Sequence, residues 1–209
     1  MNYFVTGTDT GVGKTFLTSG LVRYLRSKGI DSVGMKPICT GDHEDVLQIL
    51  AASDSCEPEH LINPVWYRTP VAPYTASIIE DRLIDLNAIR EAFEQLAKKH
   101  SSVLVEGVGG IAVPISAHYD FRDLARDLRL NVILVAANRL GVLNHARLTL
   151  EAIRASGLPC SLVALNSMHP DSDVSQTTNL SILENLLDVP VVAVEHGQQE
   201  FEILARYLW

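Results

Sequence analysis

The chain alternates short, continuous runs of apolar β-forming residues with longer stretches of helical periodicity, and this alternation is what most limits its fold. Each run is apolar at successive positions rather than at every second one, which is typical of strands buried on both faces. Such alternation predicts a doubly wound α/β fold, with a mostly parallel sheet and helices on both faces. The predicted strands are Tyr3–Thr6, Ser32–Lys36, Val103–Glu106, Val132–Ala136, Leu162–Asn166 and Val191–Val194.

Helical patterns fill the intervals between these strands, and glycine or proline marks several of the joints. No linker divides the chain, so we predict one domain over residues 1–209. The segment Glu57–Thr75 carries four prolines and no clear period, which predicts a long surface connection, either a lid or a substrate loop. The predicted helices are Lys14–Ser27, Asp45–Ala52, Leu86–Lys99, Phe121–Leu128, Leu143–Ala155, Leu180–Leu187 and Gln199–Tyr207.

Charge and cysteine content exclude several classes of function. The 25 acidic and 17 basic residues give a net charge of −8, which argues against a general nucleic-acid or anionic-membrane binder. The three cysteines, Cys39, Cys56 and Cys160, have no C-x-x-C spacing, which argues against a disulfide scaffold or a thiolate zinc site. No histidine pair has zinc-motif spacing either. We therefore expect reduced cysteines in a cytoplasmic protein, with neither a signal peptide nor a membrane span.

A glycine-rich loop joins the first strand to the first helix. Its sequence, Gly7-Thr8-Asp9-Thr10-Gly11-Val12-Gly13-Lys14-Thr15, ends in the Gly-Lys-Thr of a phosphate-binding loop. Such a loop points backbone N–H groups at phosphate oxygens, with Lys14 reaching the β- and γ-phosphates and the Thr15 hydroxyl available to Mg²⁺. Thr8 stands where the usual spacing has its first glycine, and Gly7 lies one residue too early. The alternative is a glycine-rich turn with an incidental lysine.

Charged residues end the second and third predicted strands, where an open parallel sheet binds its ligands. Lys36 ends one strand and is followed in the loop by Thr40, and Glu106 ends the other before Gly107–Gly110. A buried acid needs a cation, and Mg²⁺ bridging phosphates would supply it. The alternatives are a surface lysine and a glutamate that caps the glycine-rich turn.

Three further polar residues allow two interpretations each. Asp45 at the start of a helix could ligate Mg²⁺ or cap the helix, and Asp42 is the better cap by position. Asn166 at the end of the fifth strand could bind the edge of adenine or be an ordinary turn residue. Asn144, near the start of a helix, could help to hold a carboxylate or serve as an N-terminal cap.

In combination these motifs resemble the dethiobiotin synthetase family, within the P-loop NTPases. The resemblance rests on Gly-Thr-Asp-Thr-Gly-Val-Gly-Lys-Thr, Lys-Pro-Ile-Cys-Thr-Gly, Val-Glu-Gly-Val-Gly-Gly and Leu-Gly-Val-Leu-Asn-His-Ala, in that order along residues 2–166. It implies an enzyme that closes the ureido ring of dethiobiotin from 7,8-diaminononanoate, CO₂ and ATP with Mg²⁺, through a carbamate and a carbamic–phosphoric anhydride.

The resemblance also implies roles for individual residues. Catalysis would fall to Lys36 and Lys14, and the metal ligands would be Thr15, Asp45 and Glu106. The ATP contacts would be Gly11, Val12, Gly13, Lys14, Thr15, Phe16, Asp45, Glu106, Gly107, Val108, Gly109, Asn166 and Ser167. The contacts to the diamine substrate would be Thr10, Lys36, Thr40, Gly141, Val142, Leu143 and Asn144.

Family members are homodimers, and the resemblance implies that Gly141–Asn144 holds the substrate carboxylate of the other subunit. A competing class, the nucleotide-switch ATPases of the partitioning or septum-site type, shares this fold but has an extra lysine near the start of the loop. Thr8, Asp9 and Thr10 stand there instead. A small-molecule kinase is the third possibility.

Overall fold

A six-stranded parallel sheet forms the centre of the molecule. The computed structural model describes residues 1–171 and 173–209. The strands pair in the order β10-β9-β8-β1-β5-β2, so β1 lies between β5 and β8. These six strands are β1 (Tyr3–Gly7), β2 (Ser32–Met35), β5 (Ser102–Gly110), β8 (Asn131–Ala137), β9 (Cys160–Asn166) and β10 (Val191–Val194).

Helices cover both faces of this sheet, which confirms the predicted fold class. On one face α1 and α9 pack over strand residues such as Tyr3 and Val5, and on the other α5, α6, α7 and α8 pack over residues such as Phe4 and Val105. The helices are α1 (Lys14–Ser27), α2 (Glu44–Ala52), α3 (Glu59–Ile62), α4 (Pro73–Ile79), α5 (Leu86–Lys99), α6 (Phe121–Asp127), α7 (Val142–Ala155), α8 (Val174–Leu186) and α9 (Glu202–Arg206).

Two small sheets flank the central one. β3 (Ile38–Thr40) pairs in parallel with β4 (Val65–Tyr67), and β6 (Pro114–Ser116) pairs with β7 (Tyr119–Asp120). The predicted surface connection over Glu57–Thr75 is therefore wrong in part. It contains α3, β4 and the start of α4, and its Ile62 and Tyr67 are fully buried.

The glycines after Glu106 belong to a strand, which corrects the prediction that β5 ends at Glu106. β5 continues to Gly110, and Gly7 pairs with Gly110 in the register of β1 and β5. A Cβ on Gly107 would lie 2.8 Å from Phe4 Cζ, so glycine lets the core side chain pack against the strand. β2 is shorter than predicted: it ends at Met35, and the Lys36 N–H bonds to the carbonyl of Ile62 in the flanking layer.

The largest differences from the predicted helix boundaries are in α8 and α9. α8 begins six residues early, at Val174, because the Asp173 carboxylate accepts the N–H of Gln176 and the Gln176 side chain accepts the N–H of Asp173. This capping box fixes the N-terminus of the helix ahead of Leu180, where the apolar pattern alone places it. α9 is confined to Glu202–Arg206. Among the described residues, no helix has both the length and the apolarity to cross a bilayer.

Candidate active site

The glycine-rich loop wraps the point where β1 ends and α1 begins. Gly11 and Gly13 have φ of 71° and 93°, values that only glycine adopts freely. A Cβ on Gly13 would also lie 2.1 Å from the Asn166 amide nitrogen. Helix α1 starts at Lys14, so the free N–H groups of its first turn face the loop.

Gly7, which stands outside the usual spacing of the motif, is also sterically required. A Cβ there would come within 2.7 Å of both the Asp9 carbonyl oxygen and Val12 Cγ2. The Lys14 ammonium folds back over the loop and donates to the Asp9 carbonyl at 3.2 Å. Gly7 therefore still allows the loop to fold tightly around Lys14, although it lies one residue before the usual position of the motif.

Four polar side chains converge beside this loop, from α1, α2, β5 and the residue that follows β2. The Thr15 hydroxyl lies 2.8 Å from Asp45 Oδ1 and 2.8 Å from Glu106 Oε1. The Lys36 ammonium donates to Asp45 Oδ2 and to Glu106 Oε1, both at 2.6 Å. Lys36 and Glu106 are buried, whereas the Asp45 side chain is 42% exposed and faces the cavity. The predicted cation and both predicted acids therefore form one ionic cluster.

The charges in this cluster perturb one another strongly. Burial alone would lower the pKa of Lys36, but the Glu106 and Asp45 carboxylates outweigh it and raise that pKa. Burial alone would raise the pKa of Asp45, and the Lys36 charge lowers it instead. The pKa of Lys14 is lowered, first by burial and then by Lys36. Near neutral pH Lys36 and Asp45 are therefore charged.

The oxygens of the cluster suit a small divalent cation. Thr15 Oγ1 carries one proton but faces two carboxylate oxygens, so it can donate to only one of them. Glu106 Oε2 is buried and has no hydrogen-bond partner among the residues that the structure describes. Hydroxyl and carboxylate oxygens are the ligands that Mg²⁺ prefers. The residues present therefore fit the predicted Mg²⁺ ion.

Asp42 and Asp45, which the sequence left as alternatives, occupy different environments. The Asp42 carboxylate accepts the N–H of Glu44 at 3.2 Å, beside the first turn of α2. Asp45 instead turns toward Thr15 and Lys36. The assignment of Asp45 as a metal ligand stays a prediction, and its position favours it over Asp42.

A cavity of about 650 Å³ opens above the cluster. Most of the predicted site residues line it: Thr10, Gly11, Gly13, Lys14, Thr15, Phe16, Lys36, Thr40, Asp45, Val108 and Gly109. Glu106 lies beneath it against Lys36, and Val12 and Gly107 pack into the core. The cavity is large enough for a nucleotide or a similar small molecule.

One wall of the cavity was missed by sequence reasoning. Pro70, Val71 and Ala72 line it from the connection between β4 and α4, together with Val113 and Met168. These residues are apolar and follow no helical or strand period, so the sequence carries no signal that separates them from ordinary loop residues. The prediction of a substrate loop within residues 57–75 named the segment but none of these positions.

Asn166 supports the loop from below. Its amide nitrogen donates to the Val12 carbonyl at 2.9 Å and contacts Met168 Sδ at 3.0 Å, and the side chain is buried. Ser167 follows it, and its N–H bonds to the Val194 carbonyl. The adenine contacts assigned to Asn166 and Ser167 stay predictions.

Gly141, Val142, Leu143 and Asn144 lie apart from the cavity of their own chain. Gly141 precedes α7 with φ of 95°, and Asn144 is exposed in the first turn of the helix. None of the four lines the cavity. Within one chain the structure does not bring them to the substrate site.

Comparison with known proteins identifies the family. A family profile described as an AAA domain matches residues 1–196. An ATP-dependent dethiobiotin synthetase of Akkermansia muciniphila is 39% identical over 203 residues, covering 97% of this chain and 95% of that protein. One from Anaeromyxobacter dehalogenans is 42% identical over 209 residues, covering 98% and 94%. The chain belongs to the ATP-dependent dethiobiotin synthetase family.

Solved structures agree on the fold alone. The septum site-determining protein of Pyrococcus horikoshii, solved with Mg-ADP, is 15% identical with a TM-score of 0.54, covering 100% of this chain and 86% of that one. This septum-site protein thus shares the architecture of the chain, but its sequence identity of 15% is far below the 39% and 42% of the two dethiobiotin synthetases. The family resemblance inferred from the motifs is confirmed.

Proposed function

We propose that the chain is an ATP- and Mg²⁺-dependent dethiobiotin synthetase that joins 7,8-diaminononanoate and CO₂ into the ureido ring of dethiobiotin. The observation that carries this proposal is the cluster of Thr15, Lys36, Asp45 and Glu106 beside a phosphate loop, in a chain of this family. Such a cluster places a fixed ammonium and two carboxylates where a triphosphate would end.

The reaction needs three bond-forming steps. One amine of the diamine attacks CO₂ and loses a proton, which gives a carbamate. A carbamate oxygen then attacks the γ-phosphorus of ATP and releases ADP, which gives the mixed anhydride. The second amine attacks the carbonyl carbon of that anhydride, and phosphate leaves as the ring closes.

The chain's own residues supply binding and charge stabilisation for these steps. The loop N–H groups and Lys14 hold the β- and γ-phosphates. Lys36 is buried beside the cavity that the loop and Thr40 also line, so its ammonium would neutralise the charge shared by carbamate and γ-phosphate. Thr15, Asp45 and Glu106 would hold Mg²⁺, which supplies charge neutralisation at the phosphates when bound.

The test is phosphate release from ATP with the diamine and bicarbonate, each omitted in turn. We expect release only when both are present, together with stoichiometric dethiobiotin. ATP hydrolysis that is independent of the diamine would indicate a nucleotide switch. A phosphorylated product that accumulates without ring closure would indicate a kinase. Lys36→Arg serves as a matched variant, and we expect poor activity because a planar guanidinium does not reproduce a compact ammonium.

We also propose a homodimer in which Asn144 reaches the partner's substrate. Leu148 is 57% exposed and lies one helical turn beyond Asn144 on α7, and Leu140, which is 83% exposed, lies just before the helix. Ile182 and Leu186 on the neighbouring α8 are exposed as well. An apolar surface of this kind supports an interface between two copies.

Co-refolding tests the shared site. Lys36→Ala and Asn144→Ala chains are each expected to be nearly inactive. When they are unfolded and refolded together in equal amounts, half the dimers are mixed and one site in each mixed dimer has both residues intact. About a quarter of all sites should recover. If wild type refolds and the mixture recovers nothing, Asn144 does not serve the partner's site.

The cytoplasmic location is proposed too. Its support is the chemistry of the three cysteines, which are all free. ATP, CO₂ and a diamine are small molecules, so the proposed activity calls for no nucleic-acid or membrane partner.

A further inference from the structure

A second group of ligand-type side chains lies at the edge of the sheet opposite the glycine loop. His100 follows α5 and Asp31 precedes β2, so both lie at the amino ends of parallel strands. Cys56 and Glu57 lie between α2 and α3 and complete the group. The carboxyl ends of the same strands carry the cavity, so the proposed function leaves these residues without a role.

Three different donor types meet in this group. The Cys56 thiol, a Glu57 carboxylate oxygen and a His100 ring nitrogen all lie within 4.8 Å of one another. The side chains of Glu57 and His100 are only 2% and 4% exposed, and Cys56 is exposed. Thiolate, carboxylate and imidazole are the ligands that zinc-class ions take, and an exposed thiol leaves an entry path.

A fourth residue orients the histidine. His100 Nδ1 lies 2.8 Å from Asp31 Oδ1, and His100 Nε2 points at Glu57 Oε1 from 2.9 Å. A carboxylate on the far ring nitrogen fixes the ring and its tautomer, and ligating histidines almost always have such a partner. Asp31 therefore presents Nε2 of His100 to the other two donors.

The local charges also suit a divalent cation. The Lys99 ammonium pairs with Glu57 from a side chain that is 61% exposed, and the Arg26 guanidinium lies 3.4 Å from Asp31 and 2.7 Å from Asp54. These three carboxylates and a Cys56 thiolate would carry four negative charges against the two positive ones, an excess of two when the His100 ring is neutral.

We propose that Cys56, Glu57 and His100 bind one zinc-class divalent ion, with Asp31 positioning His100. On binding, the Cys56 thiol and Nε2 of His100 each release a proton to solvent, and bonds to the metal replace the hydrogen bond between Glu57 and His100. Lys99 moves away into solvent. The sequence predicted no thiolate zinc site because zinc motifs are recognised by short spacings between their ligands. Cys56 and His100 are far apart in sequence, and His100 is placed beside Cys56 by its position between α5 and β5.

Cobalt titration of the full chain tests the site, with Mg²⁺ in excess to occupy oxygen ligands. Co²⁺ bound to a thiolate gives a near-ultraviolet charge-transfer band, which reports cysteine ligation directly. We expect a saturable band that Zn²⁺ displaces. Cys56→Ser should abolish it, and the matched control Cys160→Ser should leave it unchanged. Asp31→Asn should weaken binding by about 10–100-fold through the orientation of His100.

Lys99→Met separates a built site from a lone surface thiol. It alters an exposed side chain and removes a competing positive charge, so it should tighten Co²⁺ binding. If wild type gives no saturable band, the group is only an ion-paired histidine network and the proposal fails. It fails equally if Asp31→Asn and Lys99→Met both bind Co²⁺ as wild type does, because Cys56 then binds alone. Circular dichroism checks that each variant folds.

Discussion

Replacing Lys36 with methionine should destabilise the protein even when no substrate or metal is present. Glu106 is fully buried, and Lys36 supplies its positive partner at 2.6 Å. In Lys36→Met the one hydrogen-bond donor left to the carboxylate, within residues 1–171 and 173–209, is the Thr15 hydroxyl, which it shares with Asp45. Methionine fills nearly the same volume, so the change removes charge rather than packing.

The size of the effect follows from burial. Removing one partner of a buried ion pair costs about 3–5 kcal/mol, because a charge is left uncompensated. A chain of this length loses roughly 2–4 °C of melting temperature per kcal/mol. We therefore expect a fall of about 6–20 °C in metal-free buffer. Adding Glu106→Gln removes the unpaired charge and should recover part of the loss, with a coupling of about 1–3 kcal/mol.

Urea unfolding, followed by tryptophan fluorescence and circular dichroism with EDTA present, measures these free energies. Lys98→Met is the matched control, since that ammonium is 79% exposed and lies 3.9 Å from Glu94, an arrangement worth little. Mg²⁺ should restore more stability to Lys36→Met than to wild type, because the ion replaces the missing positive charge. Wild-type stability in Lys36→Met, or strictly additive effects with Glu106→Gln, would refute the ion-pair reasoning.

Three further predictions concern the same cavity. Lys14→Ala should lower kcat by orders of magnitude while the melting temperature changes little, because Lys14 stabilises the negative charge on the phosphate that is transferred. An unchanged kcat would contradict this role. Asp45→Asn should raise the Mg²⁺ concentration required for activity and Asp42→Asn should not, and the reverse result would reassign the ligand. The lowered pKa of Asp45 means that its contribution to stability is complete above its ordinary value of 3.8 and is lost as the pH falls through the lowered one. In Asp45→Asn the free energy of unfolding should therefore fall less steeply as the pH is lowered. An unchanged pH dependence would show that Asp45 does not contribute to stability in this way.

The central sheet could be predicted because its signal is local. Strands buried on both faces are apolar at every position, so β1, β8, β9 and β10 can be located without knowledge of their partners. β5 could not be bounded in the same way. Gly107–Gly110 looks like a turn in isolation, and it is the pairing of Gly110 with Gly7, far away in sequence, that keeps it extended.

The candidate site divides in the same way. Thr15, Lys36 and Glu106 stand at or near the ends of predicted elements, and topology gathers such positions at one edge of a parallel sheet. The apolar wall at Pro70–Ala72 depends on how β4 packs beside β3, which no local pattern encodes. The direct contact of Lys36 with both carboxylates was not predicted either, since the sequence indicates where Lys36 lies along its strand but not which side chains it contacts.

That contact explains how one lysine can serve both the fold and the proposed reaction. Asp45, Glu106 and Lys36 together leave one negative charge beside the phosphate loop. A divalent ion on the two carboxylates would change this excess into one positive charge, and Lys14, which also lines the cavity, adds another. With such an ion bound the cluster would attract phosphate more strongly, whereas without it Lys36 neutralises the buried Glu106 carboxylate. Lys36 would therefore stabilise the protein without substrate, and its ammonium would also face substrate if Asp45 and Glu106 held Mg²⁺.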